Sequence, residues 1–264
     1  MSTKIKVMTF NLRVVAEVDG VNIFYNRKSR ILETIKMEDP ELIGFQEAND
    51  EMKNWLREAI APEYTLVGCG RNANYFGEST VLAFKNSSFN MIKSDNFWLS
   101  ATPEIPGSRY EDIDQSHCPR MCTVALLKHK DAAGLLWFYN THTDHKGSHA
   151  RLVEAKQVME HIQTHVDYKG GQRFVLTGDM NAYPDAPEIL EFTDFIKDRK
   201  VTDLTENVGG TFHGFGKRET PVKIDYIFTD ADCDINESYK IDEGAKYGIY
   251  ISDHMPVCGY ITLE

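Results

Sequence analysis

Residues 174–181 have the sequence FVLTGDMN, a short and mostly apolar run that ends in Gly178, Asp179 and Asn181. The run predicts a buried strand. Because Asp179 and Asn181 are two residues apart, an extended backbone places both side chains on one face. A carboxylate and an amide on one face are able to hold a metal-bound water and to orient a phosphate. Gly-Asp-x-Asn is also common turn composition, so these residues alone leave both interpretations open.

Polar side chains flank apolar strands at five further places along the chain. The residues concerned are Asn11, Glu47, His142, Asp225 and the adjacent pair Asp253 and His254. Strand ends converge at one rim of a sheet sandwich, and the loops there carry functional sites. Six polar clusters at strand ends therefore predict one site assembled from distant parts of the chain.

Apolar patterns outline the remaining elements. Period-two alternation or short apolar runs predict strands at residues 5–10, 42–45, 79–84, 135–142, 174–177, 224–229 and 257–262. Helical spacing predicts helices at residues 27–37, 49–60 and 148–166. Residues 100–120 and 208–222 are predicted to be long binding or covering loops. No repeat or linker divides the chain, so we expect one domain over residues 1–264, with two sheet layers flanked by helices.

Composition limits the partners. The chain has 264 residues, 42% of them hydrophobic, and carries 40 acidic against 29 basic residues, for a net charge of −11. A folded globular protein is expected, and no apolar run is long enough to cross a membrane. The acidic balance disfavours a protein that coats a nucleic-acid backbone. Five scattered cysteines and the absence of a secretory signal in this sequence predict free thiols and a cytoplasmic location.

Glu47 is the strongest candidate metal ligand, because a glutamate after an apolar strand is costly to bury without a partner. Magnesium prefers oxygen ligands and needs only one or two carboxylates; a salt bridge to an arginine is the other interpretation. Two histidines and an acid are able to form a zinc site, and His142, His145 and Asp144 supply these residue types. The two histidines diverge if the segment is a strand, however, and no third ligand is evident. A histidine that hydrogen-bonds a phosphate is the preferred role for His142, with a surface histidine cluster as the competing one.

Taken together, six segments resemble the signatures of the endonuclease/exonuclease/phosphatase superfamily. In chain order they are residues 10–13 (FNLR), 45–47 (FQE), 140–142 (NTH), 178–181 (GDMN), 223–228 (KIDYIF) and 252–257 (SDHMPV). The resemblance covers residues 8–258, and the six signatures in order are highly specific. Residues 98–103, 106–108 and 210–215 are typical of a bacterial branch that is distantly similar to the Ccr4-type deadenylases.

The resemblance implies an α+β fold, a four-layer α/β/β/α sandwich of the DNase I type, and a phosphoesterase that depends on Mg²⁺ or Mn²⁺. It implies that Glu47 is the principal metal ligand, with Asn11 beside it and Asp253 in contact with metal or water.

The resemblance also implies the catalytic roles. Asp179 would position or deprotonate the attacking water, and Asn181 would orient that water or the phosphate. His142 would donate to a phosphate oxygen. His254 would act as general base or stabilise the pentavalent charge, and Asp225 would hold His254 in its productive tautomer.

A second group of residues is predicted to support or bind the substrate. The segment that contains Arg71 resembles the part of DNase I-like members whose glutamate supports the first catalytic histidine, so Glu78 is paired with His142. Asp144 and His145 are expected to fix their neighbours. The candidate substrate-binding residues are Arg109, Arg120, Arg151, Trp98, His213 and Phe215, where the arginines would bind phosphate oxygens and the aromatic rings would stack on a base or sugar.

The function expected from this set is metal-assisted hydrolysis of a small or short phosphorylated substrate: a sugar phosphate, a nucleotide or a short oligonucleotide. A DNA or RNA nuclease is the alternative enzyme, and a non-catalytic binding module is a third hypothesis. Neither a membrane nor a protein partner is implied.

Overall fold

The computed structural model describes residues 2–194 and 199–264, which form two β-sheets between layers of α-helix. The helices are α1 (Phe24–Glu38), α2 (Asp50–Ala59), α3 (Ser148–His165) and α4 (Pro187–Asp194). The strands are β1 (Thr3–Asn11), β2 (Leu42–Ala48), β3 (Tyr64–Val67), β4 (Ser79–Lys85), β5 (Phe89–Trp98), β6 (Met121–His129), β7 (Leu135–His142), β8 (Arg173–Asp179), β9 (Thr202–Asp203), β10 (Asp225–Thr229), β11 (Asp232–Cys233), β12 (Tyr239–Lys240) and β13 (Val257–Leu263).

Each sheet contains one pair of parallel strands joined by a helix. The first sheet has the order β11-β13-β1-β2-β4-β3, with β12 also paired to β13, and the second has the order β5-β6-β7-β8-β10-β9. The parallel pairs are β1 with β2, connected through α1, and β7 with β8, connected through α3. A parallel pair requires such a crossover, and it brings the carboxyl ends of both strands to the same edge.

Three apolar cores separate four layers. Helices α1 and α2 pack on the outer face of the first sheet, and Phe24 and Phe45 both belong to the core between them. The two sheets face each other across a second core that includes Val7. Tyr139 and Val158 belong to the third core, between the second sheet and helices α3 and α4. The fold is therefore the expected α/β/β/α sandwich.

The strand predicted at residues 5–10 is present, but the expected single buried face is wrong: from Val7 onward both faces are buried, with Val7 facing the other sheet and Met8 facing the helices. The Asn49 side chain caps α2, since it accepts a hydrogen bond from the Met52 backbone N–H at 3.0 Å. Strands β5 and β6 and helix α4 were not predicted. The expected domain over residues 1–264 includes residues 1 and 195–198, which lie outside the described part.

A buried polar contact joins the two sheets directly beneath the rim. Gln46 on β2 donates through Nε2 to Asn140 Oδ1 on β7 at 2.7 Å. Asn140 Nδ2 in turn donates to the backbone oxygens of Phe45 and Val81, at 2.8 and 3.0 Å. Gly44 allows this close approach, because a methyl group there would overlap Thr177 Oγ1. Buried polar groups need such partners, so the contact fixes how one sheet lies against the other.

Within the described residues, no helix combines the length and the apolar character that a membrane crossing requires. All five cysteines are free thiols, as their spacing predicted.

Candidate active site

The predicted rim residues meet at one edge of the sandwich because of strand register. β7 and β8 run parallel and end together, with His142 opposite Asp179. β10 runs antiparallel to β8, so that its first residue, Asp225, also lies opposite Asp179. Asn11 ends β1 beside the end of β2, which carries Glu47. The segment before β13 brings Asp253 and His254 to the same edge, since β13 pairs antiparallel with β1.

Glu47 and Asn181 adopt a left-handed backbone, as does Arg13, whose φ is 55°. Glu47 has φ of 62° at an irregularity in the pairing of β2 with β4, and Asn181 has φ of 48°. This conformation is uncommon for residues other than glycine and is found where a side chain must be turned toward a site. Hydrogen bonds hold both residues: the Val14 N–H donates to Glu47 Oε2 at 2.8 Å, and the Asn181 N–H donates to Asp179 Oδ1 at 3.0 Å.

Asp179 Oδ2 lies at the centre of the site. It accepts a hydrogen bond from Asn11 Nδ2 at 2.9 Å. The Nε2 atoms of His142 and His254 lie 3.6 and 3.7 Å from it, on two sides. Asn11 Nδ2 is also 3.2 Å from Glu47 Oε1, so one amide bridges the two acids. The carboxylate expected to handle the attacking water is therefore flanked by both predicted histidines.

Asp225 and His254 form a buried pair. His254 Nδ1 is 2.8 Å from Asp225 Oδ2, which leaves Nε2 directed toward Asp179. The Thr211 hydroxyl donates to the same Asp225 oxygen at 2.5 Å. Because the carboxylate accepts the hydrogen bond from the Nδ1–H group, it fixes the orientation of the His254 ring.

Burial and charge separate the two histidines electrostatically. Burial, together with the positive charges of Arg120 and Arg71, lowers the pKa of His142 well below its usual value, so that its ring is neutral. Burial also disfavours the charged form of His254, but Asp225 and Asp179 outweigh it and raise the pKa of His254 to about 10. The site thus pairs one neutral imidazole with one imidazolium at neutral pH.

The donor set fits a hard divalent cation. Ligand atoms of Glu47, His142 and Asp179 lie within 4.8 Å of one another. Burial raises the pKa of both Asp179 and Asp253, and the charge of Glu47 adds to the effect at Asp253. Such crowding of acids is what a cation relieves. Carboxylate and amide oxygens suit Mg²⁺ or Mn²⁺. Glu47, Asp179, Asn11 and Asp253 are the residues that would hold it.

The site opens into a cleft of about 350 Å³. Arg13, which is bonded through Nε to Asp19 at 3.0 Å, lines one part of it. Arg71 and Arg120 line another part, and Phe212 lines a third. A cleft of this size accommodates a small molecule.

The supporting residues lie near the site, but some of their contacts differ from those expected. Arg71 Nη2 donates to Glu78 Oε1 at 2.7 Å, so Glu78 supports Arg71. Glu78 and His142 both lie in the described part of the chain, and no hydrogen bond joins them. Arg120 Nη2 donates to His145 Nδ1 at 2.9 Å.

Asp144 is buried away from the cleft. One of its oxygens accepts the backbone N–H groups of Lys146 and Gly147, at 2.9 and 2.8 Å, and its other oxygen accepts from Ser116. It fixes the loop that carries His145.

Five candidate substrate residues do not line this cleft. Arg109 contacts Glu111 at 3.5 Å, and Arg151 pairs with Glu188 at 2.7 Å. Trp98 donates to the Arg71 backbone oxygen at 2.6 Å and borders a separate groove.

The other two, His213 and Phe215, belong to a turn. His213 Nδ1 accepts from the Gly216 N–H at 3.0 Å, and the rings of both residues lie near Tyr250. No substrate is present, and their roles stay predictions.

Sequence reasoning missed three residues of the site. Arg13 belongs to the signature at residues 10–13 but was not predicted to be a site residue, although it lies two residues after Asn11 and therefore at the rim. Phe212 lines the cleft, and its ring centroid is 4.7 Å from that of His254. Nothing in the order of residues 210–215 distinguishes Phe212 from Phe215. Thr211 was missed because its contact with Asp225 depends on loop geometry.

Comparison with known proteins agrees with the signatures. The model of the Endonuclease/Exonuclease/phosphatase family matches residues 8–254. A crystal structure of a Bacteroides vulgatus endonuclease/exonuclease/phosphatase is 26% identical, with a TM-score of 0.86 over 99% of this chain and 100% of that one. The mannosyl-6-phosphatase of Bacteroides thetaiotaomicron is 25% identical, with a TM-score of 0.82 over 98% and 100%. An uncharacterized mimivirus protein is 22% identical over 88% of this chain and 90% of its own length.

Proposed function

Because the chain belongs to the endonuclease/exonuclease/phosphatase family, we propose that it is a divalent-metal-dependent hydrolase of small phosphate esters, sugar phosphates above all. The observation that carries the proposal is the placement of Asp179 between His142 and His254, 3.6 and 3.7 Å away, beside the acid Glu47. This arrangement offers an acceptor for the proton of water and two imidazoles for the phosphoryl oxygens.

The residues divide the reaction among them. A bound Mg²⁺ or Mn²⁺ would supply charge neutralisation on the phosphoryl oxygens. Asp179 accepts a proton from the attacking water, whose oxygen bonds to phosphorus as the bond to the ester oxygen breaks. His142, held neutral, donates a hydrogen bond to a phosphoryl oxygen. His254, held protonated by Asp225, stabilises the charge that develops there. The departing ester oxygen takes a proton from solvent, Asp179 returns its proton to solvent, and the products are inorganic phosphate and an alcohol.

Two observations support a small substrate. The cleft of about 350 Å³ is near the lower limit for a ligand site, and the net charge of −11 repels long polyanions. The mannosyl-6-phosphatase of Bacteroides thetaiotaomicron is also a similar structure. We therefore rank sugar phosphates first, then nucleotides and short oligonucleotides.

A nuclease activity has less support. The channel expected for it is lined by Arg109, Arg120, Arg151, Trp98 and Phe215, and of these only Arg120 lines the cleft that contains Asp179. A non-catalytic binding module has still less, because every rim residue that the chemistry needs is present.

The test is a panel of sugar phosphates, nucleotides and oligonucleotides with Mg²⁺ or Mn²⁺. We expect turnover of sugar phosphates that requires the metal and is abolished in Glu47→Ala, with large losses in Asp179→Asn and His254→Ala. Faster cleavage of polynucleotides than of sugar phosphates would favour the nuclease. A protein that shows no metal binding by calorimetry would be a binding module.

A further inference from the structure

The wall of the cleft next to His142 carries charged groups that the reaction described above does not use. Arg71 and Arg120 both line the cleft, and the charges of both act on His142 and His145. Arg71 uses only Nη2 in its bond to Glu78, and burial raises the pKa of Glu78, which weakens that carboxylate as a partner. The other N–H donors of the Arg71 guanidinium are available to bind an anion.

Arg120 fixes the chemistry of His145. Its Nη2 is a donor at every accessible pH, so His145 Nδ1, 2.9 Å away, accepts the hydrogen bond. A neutral imidazole that accepts at Nδ1 carries its proton on Nε2. His145 is exposed to the cleft, so it presents this N–H to a ligand as a donor.

Arg120 is itself held in place. It is 3% exposed, its Nε lies 3.7 Å from Asp144 Oδ2, and its Nη1 lies 3.5 Å from the backbone oxygen of His142. This wall therefore contains the Arg120 guanidinium and the His145 N–H, and both are positioned before a ligand binds. Such preorganisation lowers the entropic cost of binding.

Beyond this wall the cleft has almost no room. A recess bordered by Glu47, Arg71, Glu78, Arg120 and His142 has a volume of about 10 Å³, which holds one water at most. A phosphate beside His142 therefore meets charged donors where the cleft adjoins this recess, and the recess has no room for an ester substituent.

We propose that Arg71 and His145 form a subsite for the terminal oxygens of a phosphate monoester, and that the enzyme is a phosphomonoesterase. The inference rests on the proposed phosphoesterase function and names its substrate class. A monoester carries close to two negative charges and three non-bridging oxygens at neutral pH, so two charge-assisted donors beyond His142 match it. A diester has one charge fewer, and its second substituent would occupy the side that the wall closes.

Binding tests the subsite without requiring turnover. The probes are inorganic phosphate and dimethyl phosphate, titrated by calorimetry into the Mg²⁺-containing protein at mildly alkaline pH. We expect inorganic phosphate to bind at least about 10-fold more tightly than dimethyl phosphate. Arg71→Gln and His145→Ala should each remove most of this preference. Arg57→Gln, at an exposed position on α2, is the matched control and should keep it.

Conservative variants separate binding from folding. Arg71→Lys keeps the charge, so it should retain more of the preference for inorganic phosphate than Arg71→Gln does. His145→Gln keeps a side-chain N–H, so it should retain more of that preference than His145→Ala. The kinetic counterpart is kcat/KM for p-nitrophenyl phosphate against bis(p-nitrophenyl) phosphate. Arg71→Gln should lower the monoester value about 10- to 100-fold and leave the diester value nearly unchanged.

Two results would overturn the inference: equal affinity of the wild-type protein for both probes, or equal losses of both affinities in Arg71→Gln. A protein that prefers inorganic phosphate but hydrolyses no ester would contradict the proposed function and leave the subsite supported.

Discussion

His254 Nδ1 lies 2.8 Å from Asp225 Oδ2, and both side chains are buried. The carboxylate fixes the ring so that Nε2 faces Asp179, and it favours the imidazolium. Asp225→Asn removes the negative charge while keeping the shape of the side chain. We expect kcat to fall about 100-fold or more with a smaller change in KM, because aligned acid–base groups contribute about 10²- to 10⁴-fold.

Nuclear magnetic resonance would show whether this loss comes from His254. In the metal-free variant the pKa of His254 should fall below that in the wild-type protein, since the charge of Asp225, which raises it, is gone. Asp232→Asn, at an exposed position on β11, should change neither kcat nor this pKa. An unchanged pKa in Asp225→Asn would contradict the pairing.

Metal binding should stabilise the fold through Glu47. At a metal concentration of about 100 times Kd, a bound ion contributes about 2.7 kcal/mol, which for a chain of this size corresponds to roughly 5 to 10 °C in Tm. Differential scanning fluorimetry with Mg²⁺ or Mn²⁺ should show this rise in the wild-type protein and in Glu33→Gln, an exposed variant on α1. Glu47→Gln should show little or none, and a full rise there would exclude Glu47 as the principal ligand.

Gly44→Ala should destabilise the protein by about 1–3 kcal/mol, because the added methyl group overlaps Thr177 Oγ1 where the two sheets meet. Chemical denaturation measures the loss. Gly134→Ala is the matched control, since a methyl group there meets its nearest atom, the Gly171 backbone oxygen, at 3.4 Å. If both variants have the stability of the wild-type protein, the close approach of the sheets at Gly44 is wrong.

Glu154 gives the stability a pH dependence of known sign. It is fully buried on α3, and burial raises its pKa to about 8 from an ordinary value of 4.5. Between these values the folded protein keeps a proton that the unfolded chain releases, so this residue makes stability fall as pH rises from about 5 to 8.

Glu154→Gln removes that ionisation and keeps an acceptor for the Asp144 N–H, which lies 2.7 Å from Glu154 Oε2. Thermal melts at several pH values should show the variant gaining Tm relative to wild type as pH rises, by about 2 °C or more between pH 5 and pH 9. Glu160→Gln, exposed on the same helix, should show the same change of Tm with pH as the wild-type protein. If Glu154→Gln also shows the wild-type change, the raised pKa of Glu154 is refuted.

The rim residues could be predicted from sequence because each one follows or precedes a strand with a clear apolar pattern. Asp179 and His142 are examples: once β7 and β8 are recognised as strands, parallel pairing makes them neighbours. The six signatures then identified the family, which the match over residues 8–254 confirms.

Other features could not be predicted, for physical reasons. β5 is an edge strand in which six consecutive residues are exposed or nearly so and the pairing shifts between Met91 and Lys93, so no period-two pattern is visible. The bond between Arg71 and Glu78 competes with the expected contact of Glu78 with His142, and only the fold decides between them. Phe212 lines the cleft through the path of a loop that has no periodic pattern.

The order of strands along the chain has a consequence for protein synthesis. Asn11 emerges from the ribosome long before Asp179, which it contacts, and His254 follows only after a further 75 positions. A nascent polypeptide therefore possesses scattered acids but no assembled centre until His254 has been translated. Products terminated before His254 should therefore not hydrolyse phosphate esters. Tight binding of a metal ion would show that the segment before β13 has been translated and has folded onto the rest of the site.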